Sequence, residues 1–362
     1  MEEIIQTPLT KLFGIKHPVM LAGMAQAAGP SLAAAVTNAG GLGVIGGVGY
    51  NAATLQRLIR ELKSELVQKD APFGVDLLLP QVGAGARATN YDYTHGELPK
   101  LIDIMIEEKC SLFVAAVGVP PRWAVDKLHA AGIPVMNMIG APKHVAKALA
   151  AGVDLICAQG GEGGGHTGDV PTSLLIPKVV DLCAGKKSPL TGDNVWVVAA
   201  GGVVDGRSLA MCLSLGAQAV WVGTRFVAAK EAGASPAHQR AVTTAGYHDT
   251  IRTIIFSGRP MRVRKNAYIA DWENNKADKI KELTAAGIVP AIQDRELHPE
   301  WSDEESMAAH PQILGQAAGA IDEILPAKVI VDEMVSGAVK VLKGLTKTAI
   351  VKASSYQPSP RL

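Results

Sequence analysis

Short apolar, often β-branched runs recur along the first two thirds of the chain, each followed by a stretch of helical periodicity or high alanine content. The strand-like runs are Val19–Met24, Leu42–Gly46, Phe73–Leu79, Leu112–Gly118, Pro134–Gly140, Leu155–Gly160, Val195–Gly202 and Ala219–Phe226. Between them lie Ser31–Ala39, Ala52–Val67, Leu98–Lys109, Pro121–Ala131, Lys143–Ala151, Ser173–Ala184 and Gly206–Leu215. Runs that are apolar at consecutive positions belong to strands covered on both faces, as in parallel sheets flanked by helices. Their alternation with helices predicts βαβ units. Eight such strands match a (β/α)8 TIM barrel, an α/β fold, with a doubly wound sheet as the rival.

Glycine punctuates the helix ends at Gly40, Gly132, Gly152 and Gly216. A residue just past a helix adopts a left-handed conformation there, which only glycine enters without a Cβ clash. The residues between these Ala-Gly or Leu-Gly pairs do not match one another, so the recurrence reflects topology and not a repeat.

After Phe226 the pattern changes to a polar, charged stretch around Asp271–Arg295, then Leu314–Ala320, then a helical pattern at Pro326–Leu345. The expected division is a barrel core over 1–226, C-terminal helices over 227–350 that complete it and partly cap the active-site mouth, and a flexible tail over 351–362. Val329, Ile330, Met334, Val335, Val339 and Leu342 recur at helical spacing, which points to core packing more than to a partner helix.

Charge and composition narrow the function. The 362 residues carry 35 Lys+Arg against 34 Asp+Glu, which lacks the basic footprint of a general nucleic-acid binder. Aromatic content of 4% leaves no base-stacking platform, and 48% hydrophobic residues exclude disorder. The start, Met1-Glu-Glu, is not the basic n-region of a secretory signal, and no run approaches the ~18 apolar residues of a membrane span. Cys110, Cys157, Cys183 and Cys212 stand apart, without CxxC pairs or histidines at ligand spacing, and are expected as buried small residues rather than metal ligands or disulfides. The expectation is a cytoplasmic protein with a small-molecule partner, no metal, and a possible homo-oligomeric state.

The 38 glycines exceed the ~7% of average usage, and helix ends account for only part of the excess. Gly41-Leu-Gly43-Val-Ile-Gly46 fits the G-x-G-x-x-G pattern, but it follows a helix and leads into a strand, the reverse of the dinucleotide fingerprint. Gln159-Gly-Gly-Glu-Gly-Gly-Gly-His166-Thr-Gly168 is different. It follows the sixth strand at the end where barrels place their active sites, and its six glycines within nine positions bare backbone N–H groups to an anion. A histidine at its end and a glutamine at its start point to chemistry. Ala200-Gly201-Gly202 and Val222-Gly223-Thr224 end strands seven and eight, where barrel phosphate sites form, with Asp205 as a candidate N-cap.

Together these pieces resemble the nitronate monooxygenase family (2-nitropropane dioxygenases), FMN-dependent TIM barrels related to the flavin-dependent enoyl-acyl-carrier-protein reductases. The resemblance runs over roughly residues 8–350 and rests on Pro18–Met24, Asn38–Gly43, Phe73–Leu79, Ala158–Gly160, Glu162–His166, Ala200–Gly202, Gly223-Thr224 and Gly315-Gln316. It implies that Gly23 and Met24 lie against the flavin ring and that Gln159 bonds the isoalloxazine region. It further implies that Gly164, Gly165, Gly201, Gly202 and Trp221-Val222-Gly223-Thr224 hold the ribityl phosphate, and that His166 is the active-site histidine. The family's third strand presents an asparagine to the flavin; this chain has Asp76, whose partner must differ or whose pKa must rise.

The implied reaction is oxidation of alkyl nitronates or nitroalkanes by FMN and O2 to a carbonyl compound and nitrite. A histidine of ordinary pKa, near ~6.5, suits it as a base or nitronate-positioning group. The alternative is an NAD(P)H-dependent FMN reductase acting on an enoyl thioester or a quinone; a flavin-binding protein without catalysis is disfavoured by the histidine. Lys143 and His144 are expected in a solvated first turn. Tyr91-Asp92-Tyr93 and His95 either line the pocket or pack their loop. Arg259, Arg262, Arg264 and Lys265 are expected on a solvated face, with an interaction surface or a cofactor-phosphate contact as the lesser alternative.

Overall fold

A computed structural model describes residues 3–346 of the chain, so the tail expected at 351–362 lies outside the described residues. The strands are β1 (Val19–Leu21), β2 (Gly43–Gly47), β3 (Phe73–Leu78), β4 (Leu112–Ala116), β5 (Val135–Ile139), β6 (Leu155–Gln159), β7 (Gly165–His166), β8 (Trp196–Ala200), β9 (Ala219–Val222), β10 (Thr250–Thr253) and β11 (Met261–Arg264). Eight of them form one parallel sheet in the order β1-β9-β8-β6-β5-β4-β3-β2. Leu21 N–H donates to Leu42 O and Leu42 N–H to Val19 O, both at 2.9 Å, which brings β2 back to β1 and closes the sheet. The α/β barrel expected from the pattern is the fold.

The pleat sorts the apolar runs into two layers. Met20, Val44, Val114, Met136, Cys157 and Val198 fill the barrel interior. Their neighbours Val19, Ile45, Val75, Phe113, Ile156 and Val197 pack outward on helix residues such as Leu32, Ile59 and Leu175. Successive side chains point to opposite faces of a strand, so a consecutive apolar run serves both layers. Most of the runs overreach their ladders, β1, β4, β8 and β9 by two residues or more, and β4 ends at Ala116. β1 ends at Leu21, β8 at Ala200 and β9 at Val222, after which Thr224–Val227 turns into a short helix. The residues beyond each end form the mouth of the barrel.

The helix ends follow the expected chemistry. Gly40, Gly132, Gly152 and Gly216 have φ of 92°, 75°, 87° and 98°. Asp205 caps helix Gly206–Ser214 by accepting from Ser208 N–H at 2.9 Å. Helix Ala327–Thr346 lies across it at a close glycine contact: a Cβ on Gly206 would come within 2.4 Å of Ala338 N. Ile330, Met334 and Val335 of that helix are buried, as their spacing predicts. The four cysteines are free and buried. No group among the described residues could hold a metal ion, and no described helix is long and apolar enough to cross a membrane.

The segment after 226 departs from expectation. β10 and β11 form an antiparallel hairpin that adds β7 as a third strand, pairing Met261 with His166 and Arg262 with Gly165. The charged stretch folds into helices Ala267–Asn275, Ala277–Ala285 and Pro290–Leu297 around a separate small core that includes Val263, Ile269, Trp272 and Leu283. The arginine run is not a solvated face. Arg259 donates to Asn90 Oδ1 and Val117 O, each at 3.1 Å, Arg262 to Gly161 O at 2.9 Å, and Arg264 to Ala241 O at 2.8 Å. A guanidinium offers donors in a fixed fork, so it can satisfy loop carbonyls that no strand pairs. These arginines tie the hairpin to the barrel loops.

Candidate active site

The strand ends enclose a cavity of about 1480 Å³ at the mouth of the barrel. A single drug-sized ligand occupies ~300–1,000 Å³, so there is space for two. Gly23 and Met24 reach it from beyond β1, Asp76 from β3, Gln159 from the end of β6, and Gly164, Gly165 and His166 from the glycine loop. Gly201 and Gly202 enter from beyond β8, and Trp221, Gly223 and Thr224 from β9 and its turn. The structure thus gathers residues scattered over two hundred positions. Val222 is the exception: its side chain is buried on the helix side of the sheet, and its carbonyl is taken by Ala22 N–H at 2.9 Å.

The glycine loop is held from several sides. Gly160 N–H donates to Ala200 O at 2.9 Å, Gly161 N–H to Val170 O at 2.8 Å, and Gln159 Nε2 to Gly164 O at 3.1 Å. Glu162 accepts from the amide and hydroxyl of Thr172, at 2.9 and 2.8 Å, where helix Thr172–Cys183 begins and a carboxylate is favoured by the helix dipole. Gly315 N–H donates to Thr224 Oγ1 at 2.9 Å, and Gln316 N–H to Glu162 O at 2.9 Å, so Leu314–Ala320 closes the far side. Gly201 and Gly202 have φ of 89° and 75°, where a side chain would be strained. A Cβ on Gly202 or Gly223 would meet nothing closer than 3.5 Å and would stand in the cavity instead. Thr224 starts a short helix, so its amide has no intrahelical acceptor.

Asp76 lies on the cavity floor, buried, with its Oδ1 lacking any hydrogen-bond partner. Gly23 passes directly over it: a Cβ on Gly23 would fall 2.3 Å from Asp76 Oδ2. Gly46, paired in register with Asp76, is bare for the same reason, since its Cβ would reach Gly23 Cα at 2.4 Å. Burial pushes the Asp76 carboxyl up to about 8. Desolvation disfavours the charged form, and here nothing compensates it.

His166 occupies the opposite wall. Its Nε2 lies 2.9 Å from Ser257 Oγ, on the turn that leads into β11. Burial, and secondarily the charge of Arg259, lower its pKa to about 4. This departs from the expectation of an ordinary imidazole titrating near neutrality: burial favours the uncharged ring at neutral pH.

The rim carries the groups the sequence undervalued. Lys143 and His144 sit in an exposed 3₁₀ turn, Pro142–His144, as expected, and with Lys147 they also border the cavity mouth. His144 is held below the usual histidine range by burial and then by the two lysines. Asp92 lines the cavity from the loop after β3, while Tyr91 and Tyr93 pack on each other with ring centroids 4.3 Å apart. Ser257 had no motif to announce it, and Arg259 belonged to the run expected on a solvated face; both are brought in by the hairpin, which pairs with His166 itself.

Comparison with known proteins agrees in family. The sequence profile described as nitronate monooxygenase matches residues 6–337. A Mycobacterium tuberculosis protein named (3aS,4S,5R,7aS)-5-hydroxy-7a-methyl-1-oxo-octahydro-1H-indene-4-carboxyl-CoA dehydrogenase is 32% identical over 96% of this chain and 99% of its own. Among solved structures, FabK from Thermotoga maritima superposes with a TM-score of 0.75 at 31% identity, over 94% of this chain and 99% of FabK. A nitroalkane oxidase from Streptomyces ansochromogenes superposes with a TM-score of 0.75 at 25% identity, over 93% and 99% of the two chains.

Proposed function

From the premise that this chain belongs to the nitronate monooxygenase family and is a flavin-dependent oxidoreductase, we propose that it binds FMN at the barrel mouth and oxidises alkyl nitronates with O2 to a carbonyl compound and nitrite. The residues present suit the cofactor. Gly202 and Gly223 leave open the space a Cβ would fill, the amide of Thr224 beside them has no intrahelical acceptor, and Asp76 Oδ1 is a buried polar atom lacking a partner. Gly201, Gly202, Gly223 and Thr224 would hold the phosphate, with Gly164 and Gly165 beside them; Gly23, Met24 and Gln159 would flank the ring. Bound FMN supplies the two-electron chemistry and its reoxidation by O2.

The observation that carries the nitronate reading is the pairing of an uncharged His166 with the positive Arg259 on the cavity wall. A base whose conjugate acid has a pKa of about 4 is a poor match for the weakly acidic C–H of a nitroalkane. An anion already formed needs no such base. It needs a fixed cation and a hydrogen-bond donor. Arg259 is fixed by Asn90 and Val117 O. If Ser257 Oγ donates to Nε2, the proton of the neutral ring resides on Nδ1, and His166 offers an N–H to the nitronate oxygens. The site therefore suits nitronates over nitroalkanes. Steady-state assays with a preformed nitronate and its parent nitroalkane test this: a clear preference for the nitronate is expected, and equal turnover would remove the argument.

A second reading has its own observation. Lys143 and Lys147 border the cavity rim, a cationic edge suited to a phosphorylated carrier. A relative 32% identical over nearly the whole chain is named for a carboxyl-CoA substrate. An NAD(P)H-dependent FMN reductase of an enoyl thioester would use the same cavity, and its activity is distinguished by the reductant it accepts.

A further inference from the structure

Among the described residues, two ionisable groups that line the cavity carry a buried polar atom without a hydrogen-bond partner, Arg252 at Nε and Asp76 at Oδ1, and Asp76 is the carboxyl. The elements packed around it bring no compensating charge. Gly23 and Gly46 contribute backbone only, and Val114, in register on β4, is apolar. The titratable groups that sense its charge are the Tyr50 hydroxyl and the Cys157 thiol. Burial first, and then the charge of Asp76, push Tyr50 up to about 12 and Cys157 well above its usual range, and neither is a cation that could pair with a carboxylate. A buried charge without partners is costly, and a buried carboxyl relieves that cost by keeping its proton.

We propose that Asp76 enters the flavin site as a neutral carboxylic acid and donates its hydroxyl to the bound flavin ring, so that flavin binding requires the protonated form. The inference rests on the FMN site proposed above. A protonated carboxyl has one O–H donor, which an ionised one lacks. Asp76 lines the cavity, and its Oδ1 has no hydrogen-bond partner among the described residues, so an acceptor for that donor can be supplied by a ligand seated in the cavity. Burial alone moves the group up to about 8, which sets the pH above which the contact fails. An ionised Asp76 beneath a bound ring would have lost its donor and kept an unpaired charge.

The test is a fluorescence titration of FMN into the flavin-free protein from about pH 6 to 10, for the wild type, D76N and D76A. The wild type is expected to bind with constant affinity up to about pH 8 and then to weaken by about tenfold per pH unit, as linkage requires when only the protonated form binds. D76N, whose amide donates at every pH, should hold its affinity past that break. D76A should bind about tenfold or more weakly throughout, without the break. Ionisations of FMN itself appear in all three and cancel in the comparison. Infrared difference spectra give a second readout: a protonated-carboxyl C=O band that shifts on FMN binding and is absent in D76N. A wild-type profile that D76N reproduces, or a carboxyl band indifferent to FMN, overturns the inference while leaving the flavin site standing. A wild type that binds no FMN at any pH overturns the flavin reading and this inference together.

Discussion

The floor and the far wall of one cavity hold an acid and a base that burial has driven in opposite directions to the same end. Asp76 rises to about 8 and His166 falls to about 4, so both are uncharged at neutral pH. Their surroundings differ. His166 has Ser257 Oγ at 2.9 Å and the charge of Arg259 nearby, and it sits on a three-stranded sheet that fixes its backbone. Asp76 Oδ1 has no hydrogen-bond partner among the described residues, and the backbone of Gly23 passes close to its Oδ2. Desolvation alone does not assign a role. The partners do: an anchored neutral ring beside a cation is arranged for an anion, whereas an unpartnered acid is arranged for a ligand that supplies the missing acceptor.

The largest effect that could break this comparison lies at the floor. Between about pH 4 and 8 the folded protein keeps a proton on Asp76 that the unfolded chain has lost, so stability falls as pH rises through that window and levels off above it. Asparagine has no proton to lose. Flavin-free D76N should therefore exceed the wild type at about pH 9 by at most on the order of 5 kcal/mol, with the difference shrinking toward pH 4. Urea denaturation across pH measures it; parallel curves for the two proteins would mean that Asp76 is ionised in the fold. At the far wall, H166A should lower kcat/KM for a nitronate by about 10²–10³-fold while FMN absorbance is retained, the usual cost of removing one preorganised donor. The break that His166 contributes to the wild-type profile of kcat/KM should fall well below neutral pH, at about 4, and be absent from H166A.

Two smaller changes sharpen the contrast. G23A forces a Cβ to 2.3 Å from Asp76 Oδ2 and should destabilise the protein by about 1–3 kcal/mol, read as a lowered Tm. S257A removes the partner of Nε2 and frees the ring to turn; a loss of about 1 kcal/mol, or roughly fivefold in kcat/KM, is expected with little change in Tm. An S257A enzyme as impaired as H166A would mean that the serine, not the ring, meets the substrate.

The barrel was legible because its physics is local. Consecutive apolar runs specify two-sided strands, and Gly40, Gly132, Gly152 and Gly216 end helices in the one conformation that favours glycine. The glycine loop and the strand-end glycines were legible for a related reason: a backbone that must approach something closely has to shed its side chains. The same signal overreached at Val222, whose neighbours face the cavity while its own side chain faces the helices. The hairpin was illegible. β10 and β11 have four residues each, and Arg259 in the turn between them and Arg262 on β11 find acceptors, Asn90, Val117 and Gly161, that are distant in sequence. No periodicity marks such long-range partners, and a run of arginines resembles a solvated face until the carbonyls it satisfies are known. The state of His166 was hidden with them, since its burial and its Arg259 neighbour both follow from the hairpin.

The central claim, that this cavity oxidises a nitronate anion on a bound flavin, is tested most directly by anaerobic stopped-flow mixing of the FMN-loaded protein with a preformed alkyl nitronate, and separately with NADH and NADPH. The account predicts rapid bleaching of the flavin by the nitronate, recolouring on admission of O2 with release of nitrite, and bleaching by either nicotinamide that is slower by orders of magnitude. Rapid bleaching by NADH or NADPH, with the flavin left oxidised by the nitronate, would contradict it.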